Sequence, residues 1–195
     1  MTGVHVRHWP GSPDRPALAL HCMMGSAAYW GPIADRLDGR IDLRAFDMPS
    51  HGRSAAWVPQ EGTNFHTTVT RIAAGMIDRP LDLIGHSIGA TVALRLAVAA
   101  PDAVRSLTLI EPVLFAAAGA GTEAVAGLAE PVMRGDMETA ARMFLDRWGG
   151  PGGYESLPAA LRPQVQRQMP LVLDSDTALS DDSYRILRPG GLEAI

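Results

Sequence analysis

Leu81-Asp82-Leu83-Ile84-Gly85-His86-Ser87-Ile88-Gly89-Ala90, continued by Thr91-Val92-Ala93-Leu94-Arg95-Leu96-Ala97-Val98-Ala99-Ala100, reads as a short apolar strand, a sharp turn and a helix. The turn carries Gly-x-Ser-x-Gly. Its two glycines let strand and helix approach closely, and the serine between them is held in a strained backbone conformation that exposes its hydroxyl. Ser87 is therefore the candidate nucleophile. The helix after it is apolar nearly all round, which predicts burial against a sheet, and Pro101 ends it.

Working outward, Val4 to Trp9 alternates with the strand period, and Gly11-Ser12-Pro13-Asp14 turns into the apolar run Ala17 to His21. The pattern predicts an edge hairpin feeding a central strand. A helix is expected over about Ala28 to Leu37, a strand over Ile41 to Phe46 and a turn-rich loop from Asp47 to Gly62. Asn64 is placed to cap a helix whose apolar positions Val69, Ile72, Ala73 and Met76 share one face. Leu107 to Ile110 is a further short apolar strand. Alternating strands and helices predict an α/β fold with a mostly parallel central sheet covered on both faces.

Beyond Glu111 the pattern turns helical. Asp136 can cap a helix with Met137, Ala140, Ala141, Phe144, Leu145 and Trp148 on one stripe. Gly149 to Gly153 stops it, and Pro158 and Pro163 are expected to divide the rest, up to about Leu187, into shorter helical pieces.

The 195 residues suit one domain, or one domain with an inserted cap. A net charge of -4 without a Lys/Arg run excludes an electrostatic nucleic-acid footprint. Cys22, the only cysteine, forms no internal disulfide. No uncharged apolar stretch reaches the roughly 20 residues of a membrane span. A cytoplasmic protein acting on a small molecule is expected, with no nucleic-acid or membrane partner. One cysteine and scattered imidazoles give no metal signature, and no cofactor is implied.

Three stretches resemble the α/β-hydrolase superfamily, in its branch of lidded esterase-like and carbon-carbon-bond hydrolases. They are Leu20-His21-Cys22-Met23-Met24-Gly25-Ser26, Phe46-Asp47-Met48-Pro49-Ser50-His51-Gly52-Arg53-Ser54 and Leu83 to Ala90, with Leu109-Ile110-Glu111-Pro112 extending the match. The resemblance implies an α/β-hydrolase core over residues 1–111, a helical cap over 112–187, and in 188–195 the start of a linker to further core strands. It also implies that the backbone N–H groups of Met23 and Ile88 form the oxyanion hole. Cys22 stands where the family usually has glycine, as does Ser50.

The family's chain order is nucleophile, acid, histidine. His5, His8, His21, His51, His66 and His86 all precede Ser87. The resemblance therefore places acid and histidine outside this sequence, on a complementing C-terminal polypeptide that would also cover the edge strand Leu107 to Ile110. Without a histidine such a triad loses about 10⁶ in kcat, so these residues alone are expected to be nearly inert. The implied activity is a serine hydrolase that opens a small ester-like or carbonyl substrate through an acyl-enzyme. A catalytically silent binding protein and an acyltransferase are the alternatives.

Among the remaining candidates, His51 is expected to brace its loop, His21 to shape the loop after its strand and His86 to pack. His5, His8 and His66 are expected on the surface. Glu111 is either a triad carboxylate or a structural residue at the cap hinge, and Asp47 is expected to stabilise its own turn. Met133, Met137, Met143, Met169 and Trp148 either line a cavity or simply pack. Arg53, Arg95 and Arg105 form no pattern.

Overall fold

The computed structural model describes residues 3–118 and 125–195. Residues 119–124, inside the range expected to form the cap, lie outside the described residues.

Five strands, β1 (Val6–Trp9), β2 (Pro16–Leu20), β3 (Asp42–Phe46), β4 (Leu81–His86) and β5 (Val104–Ile110), form one sheet in the order β1-β3-β2-β4-β5. β2 to β5 are parallel, while β1 runs antiparallel to β3. The connections are α1 (Gly31–Leu37), α2 (Phe65–Ala74) and α3 (Ile88–Ala99). β2 is buried at every position, as a strand with parallel neighbours and both faces covered must be. Ala17, Ala19, Ala27, Trp30, Leu43 and Ala45 cluster there as core.

The expected hairpin does not form: β1 pairs with β3, Val6 opposite Phe46 and Trp9 opposite Leu43. Ser12 N–H donates to the Gly39 carbonyl at 2.9 Å, and the chain crosses below β3 at Gly11, where a Cβ would stand 2.0 Å from the Ile41 carbonyl oxygen. The fully apolar β2 thus reaches the sheet centre, and the largely exposed β1 stays at the edge.

Two capping expectations are met: Asn64 accepts the Thr67 amide at 2.9 Å at the start of α2, and Asp136 accepts that of Thr139 at 3.1 Å.

At the N-terminal end of β4, the Asp82 carboxylate accepts from Arg15, Arg105 and Ser106 at 2.7–3.1 Å. These partners, Arg105 foremost, hold its carboxyl well below the usual carboxylate range against the opposing effect of burial. Arg105, featureless in the sequence, owes its role to this buried acid.

The chain divides into two compact units, residues up to Leu114 with Asp182–Ile195, and Phe115–Asp181. The second comprises α4 (Ala129–Met133), α5 (Met137–Trp148), α6 (Gly153–Ser156) and α7 (Arg162–Ser180), with short 3-10 turns. Within it the buried Tyr154 ring is flanked by the guanidinium groups of Arg142 and Arg162, 4.7 and 4.8 Å from its centroid. Met169 is buried, whereas Met133, Met143 and Trp148 are exposed. α7 is one helix of 19 residues where shorter pieces are expected. Pro163 falls in its first turn, where no N–H is needed, and Pro170 is carried inside it.

Asp182–Ile195, divided by the sequence reading between cap and linker, groups with the first unit. Tyr184 and Arg188 fix it there, the latter donating to the Val98 carbonyl at 2.7 Å. No helix among the described residues is long and apolar enough to cross a membrane.

Candidate active site

Ser87 occupies the turn between β4 and α3 at φ 55 and ψ -120. Few non-glycine residues adopt this conformation, and it persists because the surroundings dictate it. The Ser87 N–H donates to the Ile110 carbonyl at 2.9 Å, extending the β4–β5 pairing. A Cβ on Gly85 would stand 2.4 Å from the Gly89 carbonyl oxygen, and one on Gly89 would stand 2.4 Å from that of Leu20. Both positions therefore require glycine. Ser87 is half-buried, and among the described residues its hydroxyl has no hydrogen-bond partner.

Ile88 supplies the first N–H of α3, one of the donors a helix N-terminus leaves without an intrahelical acceptor. Its side chain is buried. Gly89 packs on the end of β2, so the Ile88 turn abuts the loop containing Met23. In that loop Gly25 N–H donates to the Cys22 carbonyl at 3.0 Å, and Met24 has φ 67. Met24 N–H donates to His51 Nε2 at 3.2 Å. The amides of Met23 and Ile88 have no protein acceptor among the described residues.

His21 and His51 are both buried. The His21 ring bonds the Cys22 carbonyl through Nδ1 at 2.8 Å and accepts Met48 N–H on Nε2 at 3.0 Å. The His51 ring bonds the Pro49 carbonyl through Nδ1 at 2.9 Å. Backbone amides only donate, so both rings are neutral and carry the proton on Nδ1. Burial, reinforced by His51, pushes the His21 pKa down to about 4, and burial lowers that of His51 too. Asp47 completes the support, accepting Ala27 N–H at 2.6 Å and Arg53 N–H at 2.8 Å. It binds two segments, beyond the single turn expected of it.

Beside Ser87, the His86 ring stacks on that of Tyr29, with centroids 5.5 Å apart. His86 Nε2 lies 3.6 Å from the Glu111 carboxylate, and its buried Nδ1 has no partner among the described residues. Glu111 is itself at φ 47 and its side chain is 85% exposed. Burial raises the pKa of both Cys22 and Tyr29, keeping thiol and phenol protonated. Tyr29 is a neighbour that the sequence reading missed, for lack of any motif around it.

His66, expected on the surface, is fully buried. Its ring stacks on Tyr184, and Arg95 bonds its Nδ1 at 3.3 Å. Burial first, and Arg95 second, push its pKa down to about 3. This cluster braces α2 and α3, and Arg95 finds its role in it. Among the described residues no three His, Cys, Asp or Glu side chains group as a metal site.

The sequence profile of the alpha/beta hydrolase family matches residues 17–191, and the chain belongs to that family. It is 33% identical over 110 residues to lipase LipV of Mycobacterium tuberculosis, a match covering 56% of this chain and 41% of the lipase. It is also similar to a pimeloyl-acyl-carrier-protein methyl ester esterase of Methylococcus capsulatus, 34% identical over 155 residues, covering 72% of this chain and 56% of the esterase. The chain thus spans about half the length of these relatives or less. The structure of a 2-hydroxy-6-oxo-6-phenylhexa-2,4-dienoate hydrolase from a Rhodococcus species superposes with a TM-score of 0.64 at 19% identity, over 92% of this chain and 74% of that one. That likeness concerns the fold.

Proposed function

We propose that the protein is a serine hydrolase acting on a small ester-like substrate. Ser87 Oγ attacks the carbonyl carbon and passes its proton to a base. The carbonyl oxygen becomes an oxyanion held by the Met23 and Ile88 amides. Collapse expels the protonated alcohol and leaves an acyl-enzyme, which activated water cleaves to carboxylic acid and free Ser87. The histidine and acid are supplied by a complementing C-terminal polypeptide, as the family's chain order implies. The reading is carried by one observation: the positive-φ serine stands between two obligatory glycines and is followed by the Ile88 amide, which has no acceptor among the described residues. The ester named for the Methylococcus relative accords with it.

Labelling with a fluorophosphonate, located by peptide mass spectrometry, tests the assignment. Adduct on Ser87, abolished in Ser87→Ala, is expected once the complementing polypeptide is present. Equal labelling of both proteins overturns it. The hydroxyl's lack of any partner among the described residues favours a second reading, a silent binding protein, which no fluorophosphonate would label under any complementation. Product analysis separates hydrolysis from acyl transfer.

A further inference from the structure

The turn Cys22 to Gly25 has the signature of a type II turn, closed by the Gly25 amide with a positive φ at its third residue. Glycine or asparagine ordinarily takes that place, and a larger side chain there costs about 1–2 kcal/mol. Here it is methionine. The strained residue is held from outside the turn, because its amide is captured by His51 Nε2. His51 in turn is fixed by the Pro49 carbonyl, and its ring lies 5.3 Å from that of His21 and 5.9 Å from that of Phe65.

Capture is selective. Of the two consecutive amides Met23 and Met24, His51 occupies the second and leaves the first without an acceptor among the described residues. Rotating the Met23–Met24 peptide would swing the Met24 N–H away from the ring and bring the Met23 carbonyl oxygen round in its place. One imidazole acceptor thus takes the second of these two amides and leaves the first available.

We propose that His51 is the positioning residue of the oxyanion-binding loop, taking the Met24 amide so that the Met23 amide is the one offered to the developing negative charge. This rests on Met23 being the donor, as proposed above. It acts through the loop and touches no reacting atom. Its other nitrogen, bonded to Pro49, leaves it no part as general base.

The test is NMR on the full chain with the complementing polypeptide present, following the His51 ring nitrogens and the Met23 and Met24 amides, with phenylboronic acid as probe. Boron forms a bond to Ser87 Oγ, the hydroxyl proton goes to solvent, and the resulting tetrahedral anion mimics the charge to be stabilised. The wild type should show His51 Nε2 unprotonated and correlated with the Met24 amide, and the boronate should shift the Met23 amide. His51→Leu should speed Met24 exchange and weaken phenylboronic acid, each about tenfold, the worth of one hydrogen bond. His51→Gln, whose side-chain oxygen can accept the same amide, should recover most of both.

A protonated His51 Nε2 in the wild type overturns the proposal without any variant. So does His51→Leu that binds phenylboronic acid as tightly as wild type, which leaves the nucleophile reading intact. Wild type and Ser87→Ala that bind the probe equally remove the nucleophile reading, and the positioning role falls with it.

Discussion

The guanidinium carbon of Arg95 lies 3.4 Å from the centroid of the Tyr184 ring, joining α3 to the Asp182–Ile195 segment by a cation-π contact. The phenol donates to Asn64 Oδ1 at 2.9 Å and also bonds Thr67, while His66 stacks on the ring. Tyr184→Phe removes the hydroxyl alone and should lower unfolding stability by about 1 kcal/mol. Tyr184→Ala removes the ring as well and should cost about 3 kcal/mol. Urea unfolding checks both. Equal effects would mean that the ring contributes nothing.

Gly89→Ala drives a Cβ into the Leu20 carbonyl. Backbone cannot yield as a side chain would, so a loss of about 3 kcal/mol is expected, at the upper end for overpacking. A thermal midpoint unchanged from wild type contradicts the close packing of α3 on β2.

Asp82→Asn leaves two guanidinium groups without their carboxylate. Arg15 and Arg105 side chains are 54% and 34% exposed, so solvent screens the loss. About 2 kcal/mol is expected, below the roughly 3–5 kcal/mol of a fully buried pair. Because the folded pKa lies below the unfolded one, this contribution is present above about pH 4 and fades as pH falls through the folded value. Denaturant midpoints of the two proteins should therefore converge in strong acid.

His21 and His66 are neutral in the fold, with pKa values pushed down to about 4 and about 3, against about 6.5 unfolded. Between about pH 4 and 6.5 the unfolded chain binds protons that the folded one refuses, so stability falls as pH is lowered through this window. Each histidine contributes a slope approaching 1.4 kcal/mol per pH unit. Urea midpoints from pH 7.5 to 4.5 should show it, and the slope should be smaller in His66→Gln. A flat profile contradicts the burial of both rings.

The parallel sheet, the glycine-flanked serine and the caps at Asn64 and Asp136 were legible because each rests on local sequence: a strand's apolar run, Gly85 and Gly89 around Ser87, a side-chain acceptor three residues before its amide. What stayed hidden depends on distant partners. β1 pairs with β3 because β2 is needed at the centre, which alternation alone does not reveal. His66 looks like a surface residue until Arg95 and Tyr184 close over it. Tyr29 reaches His86 only by folding. Asp82 did carry a signal, since one carboxylate in an apolar strand demands cationic neighbours.

Asp82 sits near the start of β4 and Ser87 just past its end, a separation of about 15 Å along an extended strand. Substitutions that far apart, with no shared partner, act additively. Thermal robustness can thus be engineered at one rim of the sheet while the serine turn is altered at the other, and neither programme needs to compensate for the other.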